Sequence, residues 1–407
     1  MKKVVVTTHA WYGDSPTELV FPSSWNVQVQ KMAGHDAPPL ASEQIRSKLE
    51  EPISIEPLSR LARGRRDAVI MVDDLCRPTK ASEILPHILN QLIEGGLSDS
   101  QIRIIMAVGT HVPLTIEQIA KKIGTEILER LDVYNHNPYE NTVRLGKTSR
   151  GTPVDINRGV MECDLKISVS SIMAHQGAGW EGGAKIIVPG VAGINTVEAM
   201  HRLPGRFCVV ETDRRLDMEE SAKLAGLDYI VNVIINGRRD TVDLVCGDYV
   251  QAHRKGVELA KEHYVTRMAK DCDIVVSNSY PNEDEAFGAY HRTMGSLREG
   301  GDMVLLAYSP EGIIDHYIYG QWGRNHGGRL WKPKPAVGKS RAARLLVLSH
   351  HFARKDVERM RIPGAETILA RTWTEALAHL VDRHSSKVNI AVYPCAANVP
   401  EESLRQA

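Results

Sequence analysis

The sequence contains no Cys-x-x-Cys pair, no apolar run of membrane-spanning length and no excess of charge of one sign. The 50 Lys and Arg residues balance the 50 Asp and Glu residues, so neither a nucleic acid nor an anionic membrane surface is expected as the main partner. A membrane-spanning helix needs about 20 consecutive apolar residues, and the chain has no such run. Residues 1–6 lack a signal-peptide core and indicate a first strand. We therefore expect a cytoplasmic protein.

The six cysteines are scattered along the chain. Their spacing matches neither a structural zinc site nor a disulfide framework. Reduced thiols in a cytoplasmic enzyme are the simplest interpretation. The cysteines are Cys76, Cys163, Cys208, Cys246, Cys272 and Cys395.

The length of 407 residues exceeds what one hydrophobic core usually supports, so two domains are expected. Apolar runs predict buried strands at 67–72 and 102–108. Between them, the helical spacing of apolar residues predicts a helix from Ala81 to Glu94, which Gly95-Gly96 ends. This strand–helix–strand order indicates a parallel sheet, and therefore an α/β fold.

A further strand at 273–277 is expected to open the second domain, with the boundary near 266–271. We predict an N-terminal domain over 1–268, a C-terminal α/β domain over 269–407, and an active site in the cleft between them. Residues 321–335 predict a long loop that could act as a lid. The other predicted elements are strands at 164–170, 303–307, 344–348 and 389–393, a hairpin at 228–245 around Asn236-Gly237, and helices at 195–200, 249–264 and 367–380.

Two motifs follow predicted strands, where catalytic groups tend to lie. Arg77 comes three residues after Asp74, and a guanidinium can bind a carboxylate through two parallel hydrogen bonds. A structural Asp–Arg pair that fixes a loop is the simpler explanation of this motif alone. His111 is a candidate base, because the pKa of histidine lies near neutrality. An exposed loop histidine is the alternative in a chain with 16 histidines.

A glycine-rich stretch joins His175 to Lys185. Gly182 and Gly183, with other glycines nearby, could present N–H groups to a phosphate or could simply form tight turns. The stretch is not a phosphate-binding Walker A loop, because Ile186 stands where a Ser or Thr should bind magnesium. It is not a dinucleotide fingerprint either, because the third glycine and the following helix are in the wrong places.

The lysine and the second histidine of this region are also candidates for chemistry. A partly desolvated Lys185 would offer a nucleophilic amine, or it could bind a phosphate as a point charge. His175 and His201 are candidate ligands for nickel, copper or zinc. Two histidines leave a metal under-coordinated, so the remaining ligands would have to come from a cofactor.

Taken together, these motifs resemble the nickel-pincer nucleotide-dependent lactate racemase family. The resemblance covers residues 70–205 well and continues more weakly through Ser279-Tyr280-Pro281 and Val392-Tyr393-Pro394. The motifs that carry it are Asp-x-x-Arg-Pro at Asp74 and Arg77, Gly-Thr-His-x-Pro at His111, Asn157-Arg158, His175, Gly182-Gly183-Ala184-Lys185 with Pro189-Gly190, and His201.

The resemblance implies a covalently held cofactor. This is the nickel-pincer nucleotide, a pyridinium-3-thioamide-5-thiocarboxylic acid mononucleotide linked to Lys185, with Gly182 and Gly183 beside it. Ni(II) would be held by a pyridinium carbon, two sulfurs and His201, a ligand set that suits nickel. Proteins that make the cofactor are implied as partners.

The resemblance also implies the reaction, which is racemisation of a small 2-hydroxy acid by reversible hydride transfer through a 2-oxo acid. His111 and His175 would be the paired catalytic bases, one for each enantiomer. Arg77 would bind the substrate carboxylate, and Asp74 would orient the site. The cofactor would accept and return the hydride, and the protein would position the substrate and transfer its proton.

Two positions depart from the family pattern. Lactate-specific members carry a Gln and a Lys after the Tyr-Pro segment, and an ungapped alignment places Gly288 and His291 there. Gly288 opens space, whereas His291 can still bind substrate through a hydrogen bond without a fixed charge. The acidic run at 282–285 is a further difference. We therefore expect a 2-hydroxy acid larger than lactate, either aromatic or polyhydroxylated.

Three alternatives stay open at this point. Lactate itself could be the substrate. The chain could instead be a non-catalytic protein that binds the nucleotide or nickel, although it keeps His111, His175 and His201. A kinase-like phosphate-binding protein is disfavoured by the failed Walker A spacing.

Overall fold

The computed structural model describes residues 1–314, 340–359, 364–384 and 387–404. Its strands are β1 (Lys2–Thr8), β2 (Ser15–Phe21), β3 (Asn26–Val29), β4 (Ala68–Asp73), β5 (Ile102–Ala107), β6 (Asp132–Asn135), β7 (Thr142–Lys147), β8 (Pro153–Asn157), β9 (Leu165–Ser171), β10 (Ala174–His175), β11 (Gly179–Trp180), β12 (Tyr229–Ile235), β13 (Thr241–Gly247), β14 (Val265–Thr266), β15 (Cys272–Asn278), β16 (Leu297–Leu306), β17 (Ala342–Leu348), β18 (Glu366–Ala370), β19 (Asn389–Tyr393) and β20 (Val399–Pro400).

The α-helices are α1 (Ser42–Leu49), α2 (Leu58–Leu61), α3 (Ala81–Glu94), α4 (Ile116–Ile123), α5 (Thr125–Arg130), α6 (Arg158–Met161), α7 (Ile194–His201), α8 (Asp213–Ala225), α9 (Gln251–Tyr264), α10 (Phe287–Thr293), α11 (Arg354–Arg359), α12 (Trp373–Arg383) and α13 (Glu401–Leu404). Short 3₁₀ helices span Asp99–Gln101, Gly183–Ile186, Glu283–Glu285 and Met294–Ser296. Within the described residues, no helix is both long and apolar enough to cross a membrane.

The chain forms two compact units. The first, here the middle unit, contains residues 37–261, and the second, the terminal unit, combines residues 1–36 with 262–314 and the described residues from 340 onward. The sequence predicts one continuous N-terminal domain over 1–268. The structure differs, because β3 pairs with β19 near the other end of the chain and so joins the first residues to the terminal unit.

The middle unit is built on a six-stranded sheet in the order β13-β12-β9-β4-β5-β6. All neighbours run parallel except β12 and β13, which form the predicted antiparallel hairpin. Strand β4 is buried along its whole length, as expected for a central strand covered on both faces. Helix α3 spans the predicted residues, and most of its apolar side chains, among them Ile84, Ile88 and Leu92, are fully buried, whereas Ile93 is exposed. This confirms the α/β fold class.

The terminal unit has its own six-stranded sheet in the order β18-β17-β16-β15-β19-β3, and every neighbouring pair is parallel. The four strands predicted in the C-terminal part are confirmed. Strand β1 is present as well, and it pairs antiparallel with β2 in a separate two-stranded sheet.

The prediction of one helix over 367–380 is wrong in its first part. Residues Glu366–Ala370 form strand β18, which pairs with β17, and the helix begins only at Trp373. The Thr372 side chain accepts the Glu375 N–H, so a helix N-cap separates the two elements. The predicted loop at 321–335 lies outside the described residues.

Candidate active site

A buried histidine–aspartate pair lies where β4 and β5 end. These strands are parallel neighbours, so the residues after their carboxyl ends meet at one edge of the sheet. His111 Nδ1 lies 2.6 Å from Asp74 Oδ2. Burial alone would raise the pKa of Asp74, but His111, Arg77 and Lys122 outweigh it and lower this pKa to about 2. Asp74 is therefore ionised, so His111 Nδ1 carries the hydrogen that faces it, and Nε2 is the basic atom whenever the ring is neutral.

Lys122 fixes the loop that carries Asp74 and Arg77. Its fully buried Nζ lies 2.6 Å from Asp73 Oδ1. It also donates to the carbonyl oxygens of Asp74 and Arg77, at 2.8 and 2.9 Å. Because three contacts hold one ammonium group, the loop after β4 has a defined backbone path.

One carboxylate, that of Glu181, joins the arginine to the lysine. Glu181 Oε1 lies 2.8 Å from Arg77 Nε and 3.3 Å from Lys185 Nζ. The three side chains are at most 12% exposed. The Oε2 atom of Glu181 is buried and has no hydrogen-bond partner among the described residues. Arg77 is therefore held in an ion pair with Glu181, and its charge also helps to lower the pKa of Asp74.

The loop around Glu181 is held by two buried side chains of the middle unit. Arg215 on α8 donates to the carbonyl oxygens of Ala178, Trp180 and Gly182. His253 on α9 contacts the carbonyl oxygen of Glu181 through Nε2, at 2.9 Å. Burial lowers the pKa of Arg215 to about 10. These contacts fix the loop backbone.

The two predicted cofactor-binding glycines lie in this loop with positive φ angles, +80° at Gly182 and +59° at Gly183. A Cβ at Gly182 would lie 2.7 Å from Asn232 Oδ1, and one at Gly183 would lie 2.9 Å from His253. The Gly183 N–H donates to Asn232 Oδ1 at 2.9 Å. Close packing alone accounts for both glycines, so their contact with a cofactor stays a prediction.

His175 is held differently from His111. It lies in the hairpin of β10 and β11, and its Nδ1 accepts the backbone N–H groups of Gly177 and Ala178, at 3.1 and 3.0 Å. An atom that accepts two N–H groups carries no hydrogen, so the hydrogen of the neutral ring is on Nε2. The two predicted bases are thus held in opposite tautomers.

His201, at the end of α7, has the proton state of a metal ligand. Its Nδ1 lies 2.7 Å from the Val197 carbonyl oxygen, so Nδ1 carries the hydrogen, and Nε2 is the atom that a metal ion would bind. Burial lowers the pKa of His201 to about 4, and the charges of Arg214, Lys185 and His111 contribute. The ring is therefore neutral at physiological pH, as metal binding requires.

The structure thus brings together most of the predicted site residues within the middle unit. Asp74, His111, Arg77 and Lys185 are linked by direct contacts or through Glu181. His291 lies on α10 of the terminal unit, exposed at its surface, with its ring 4.4 Å from that of Phe287 between centroids. A Cβ at Gly288, on the same helix, would meet no atom within 4 Å.

Sequence reasoning missed three residues of this site: Glu181, Lys122 and Arg215. Glu181 stands within the glycine-rich stretch, where a single carboxylate beside Lys185 was a signal that could have been used. Lys122 on α4 and Arg215 on α8 look like ordinary surface charges in the sequence. Their burial becomes visible only when the strands and helices are packed.

Comparison with known proteins gives a consistent result. The model of the lactate racemase N-terminal domain matches residues 12–207, a stretch that contains Asp74, His111, Lys185 and His201. The lactate racemase of Lactiplantibacillus plantarum is 30% identical over 286 residues, which are 66% of this chain and 66% of that protein. The lactate racemase of Thermoanaerobacterium thermosaccharolyticum is 30% identical over 282 residues, with the same shares.

Solved structures agree on the fold. The lactate racemase apoprotein of Thermoanaerobacterium thermosaccharolyticum superimposes with a TM-score of 0.72 at 23% identity, over 98% of this chain and 99% of that one. A Thermotoga maritima protein superimposes with a TM-score of 0.65 at 16% identity, over 89% and 98%. On its matched domain and on these relatives, the chain belongs to the lactate racemase family, whose named members are isomerases.

Proposed function

We propose that the protein is a 2-hydroxy acid racemase or epimerase that uses a nickel-pincer nucleotide and acts on a substrate larger than lactate. One observation carries the proposal: His111 and His175 are held in opposite tautomers, one with a basic Nε2 and one with an Nε2–H donor. A reaction that removes a hydroxyl proton on one face and returns it on the other needs two such groups.

The residues present fit the implied cofactor. Lys185 offers an amine within the site, and neutral His201 offers Nε2 to a nickel ion, with Nδ1–H held by the Val197 carbonyl oxygen. Such a second hydrogen bond is the usual way in which a ligand histidine is oriented. When bound, the group supplies the two-electron chemistry at the substrate α-carbon.

The protein side chains would bind the substrate and move its proton. Arg77 would bind the carboxylate, which requires the substrate to compete with Glu181 for the guanidinium or to share it. His111 Nε2 would take the hydroxyl proton of one enantiomer, while Asp74 stabilises the imidazolium that forms. His175 would serve the other enantiomer. The buried position of these groups strengthens each interaction.

Intact-protein mass spectrometry with nickel analysis tests the cofactor assignment. The protein is expressed with and without the enzymes that make the cofactor. We expect a mass adduct on Lys185 together with stoichiometric nickel, and loss of the adduct in Lys185→Ala. Stoichiometric nickel without any adduct would contradict a covalent cofactor.

The proposed substrate size rests on Gly288, where a side chain would meet open space, and on His291 in place of a lysine. A panel of chiral 2-hydroxy acids, assayed for loss of optical activity, tests it. We expect aromatic or polyhydroxylated acids to give a higher kcat/KM than lactate. If lactate is the best substrate, the protein is a lactate racemase proper. If no acid reacts with the fully loaded protein, a non-catalytic nucleotide- or nickel-binding protein is favoured.

A further inference from the structure

Three different metal-binding side chains converge beside the His111–Asp74 pair. Asp74, Cys76 and His111 each offer one ligand atom, and these atoms all lie within 4.8 Å of one another. The three residues are 4%, 2% and 9% exposed. A carboxylate, a thiol and an imidazole so close together and so well buried are not a solvated surface cluster.

The backbone explains why they converge. The Cys76 N–H donates to Asp74 Oδ1 at 3.1 Å, so the chain turns back after β4 and brings the cysteine near the aspartate. His111 comes from the end of the neighbouring parallel strand and contacts the other carboxylate oxygen, at 2.6 Å. Lys122 holds the same loop by donating to the carbonyl oxygens of Asp74 and Arg77. The three donors are therefore fixed before any ion arrives.

We propose that Asp74, Cys76 and His111 form a binding site for a thiophilic divalent cation such as Zn²⁺, distinct from the nickel ligand His201. Sulfur, imidazole and carboxylate are the usual ligands of zinc, and three protein ligands with one open position are typical of non-structural zinc sites. A carboxylate and a thiolate together balance the charge of the ion. Zinc bonds nitrogen at about 2.0–2.1 Å and sulfur at about 2.3 Å, so small side-chain shifts complete the shell.

Occupation of this site inhibits the enzyme. An ion bound by the imidazole and by Asp74 separates the pair, and the catalytic base no longer has a carboxylate to stabilise its protonated form. This consequence rests on the proposed function, whereas metal binding itself does not. The two parts are therefore tested separately.

The binding test uses the purified protein made without cofactor enzymes and freed of metal by a chelator. It is titrated with Co²⁺ as a spectroscopic probe, followed by competition with Zn²⁺. We expect a saturable thiolate-to-cobalt charge-transfer band that Zn²⁺ removes. Cys76→Ser should abolish the band and weaken Zn²⁺ binding at least tenfold. Cys272→Ser, which changes a buried cysteine of the terminal unit, should leave both unchanged.

Two further variants keep the result decisive. His201→Ala should retain the band, and His111→Asn should weaken Zn²⁺ binding even if Cys76→Ser proves too unstable to purify. The proposal is overturned if the wild-type protein shows no saturable band, if Cys76→Ser keeps it, or if His201→Ala loses it.

The inhibition test uses cofactor-loaded enzyme. For each variant, the racemase rate with Zn²⁺ is divided by its own rate without Zn²⁺. We expect this ratio to be about one tenth or less in the wild-type enzyme and to stay near one in Cys76→Ser. Tight binding without inhibition would overturn the inhibitory role alone, and an inactive loaded enzyme would instead count against the proposed function.

Discussion

Glu181 and Arg77 form a buried ion pair, with 2.8 Å between Oε1 and Nε. The same carboxylate oxygen lies 3.3 Å from Lys185 Nζ. One negative charge thus faces two positive charges away from water, where charges interact strongly. The contribution of Glu181, Arg77 or Lys185 to the free energy of unfolding therefore depends on the other two side chains. A double-mutant cycle can measure this coupling.

Replacing Glu181 with Gln should destabilise the cofactor-free protein by about 3–5 kcal/mol, because two buried cations then lose their shared partner. In a Lys185→Met background the cost should be smaller by about 1 kcal/mol or more, since only Arg77 remains to be neutralised. Urea denaturation of the four proteins measures this coupling. Glu18→Gln, which removes an exposed ion pair with Lys3, is the control and should cost less than about 1 kcal/mol. Additive effects of the two substitutions would contradict the shared role of Glu181.

Replacing Asp74 with Asn should lower kcat by about 10²–10⁴-fold and change KM little. The amide keeps the shape of the side chain but cannot stabilise the imidazolium of His111 or hold its basic tautomer. Steady-state kinetics of the loaded enzyme measure both constants. Asp213→Asn, at the exposed start of α8, is the matched control and should leave both near wild type. An Asp74→Asn enzyme that loses affinity but keeps kcat would show that the aspartate binds substrate instead.

The opposite tautomers predict unequal kinetics for the two enantiomers of a racemic pair. To act as a base at Nε2, His175 must release the Gly177 and Ala178 N–H groups and move its hydrogen to Nδ1. A hydrogen bond contributes about 1 kcal/mol, so the loss of two should make kcat from that enantiomer roughly 30-fold lower. The KM should fall by the same factor, because the equilibrium constant of a racemisation is one. Initial rates from each pure enantiomer, followed by circular dichroism, measure the difference. Equal kcat values would mean that His175 is not held in this tautomer during turnover.

Acid should destabilise the protein in part through His136. Its Nε2 lies 2.9 Å from the Ala192 carbonyl oxygen, and burial lowers its pKa from 6.5 to about 4. Between these values the unfolded chain binds a proton that the folded protein excludes. The stabilising effect is therefore full above pH 6.5 and is lost as the pH falls toward 4.

In His136→Gln, the loss of unfolding free energy between pH 7 and pH 5 should be about 2 kcal/mol smaller than in the wild-type protein. Urea denaturation at the two pH values gives this difference, independently of any fixed cost of the substitution. His379→Gln on α12 is the control and should show the wild-type difference. The same pH sensitivity in His136→Gln as in the wild type would place the acid-labile group elsewhere.

Restoring the residues of lactate-specific relatives should shift the substrate preference. Gly288→Gln fills a position where a Cβ meets no neighbour, and His291→Lys supplies a fixed charge. We expect the double variant to lose kcat/KM for large 2-hydroxy acids and to gain it for lactate, each by about tenfold. The ratio of the two kcat/KM values is the measurement. Gly295→Gln, another glycine with open space around it in the terminal unit, is the control, and an unchanged ratio in the double variant would remove these positions from specificity.

Much of the middle unit could be predicted from the sequence, because its signals are local. The apolar run of β4, the helical spacing of α3 and the turn Asn236-Gly237 each lie within a short window. The roles of Glu181 and Lys122 could not be predicted in this way. Each depends on contacts between segments that are distant in the chain, and burial of a charge is not visible in residue type.

The assignment of the first residues failed for a related reason. Strand β3 is short and mostly exposed, and its pairing with β19 cannot be predicted from its own four residues. Strand β18 was missed because its residues continue into an N-capped helix without a Gly or Pro between them. In both cases the pairing partner, and not local preference, decided the structure.

The pairing of β3 with β19 also has a consequence for synthesis on the ribosome. Residues 37–261 hold every strand of their own sheet, so they can fold as soon as they have emerged. Residues 26–29 emerge earlier still, yet their partner, residues 389–392, is made only after all of residues 37–261. Strand β3 must therefore wait, unpaired, until that partner has been translated. Strand β3 has only four residues, and two of them are the exposed polar residues Asn26 and Gln28; so short an edge strand offers little backbone for pairing with other nascent chains in the meantime.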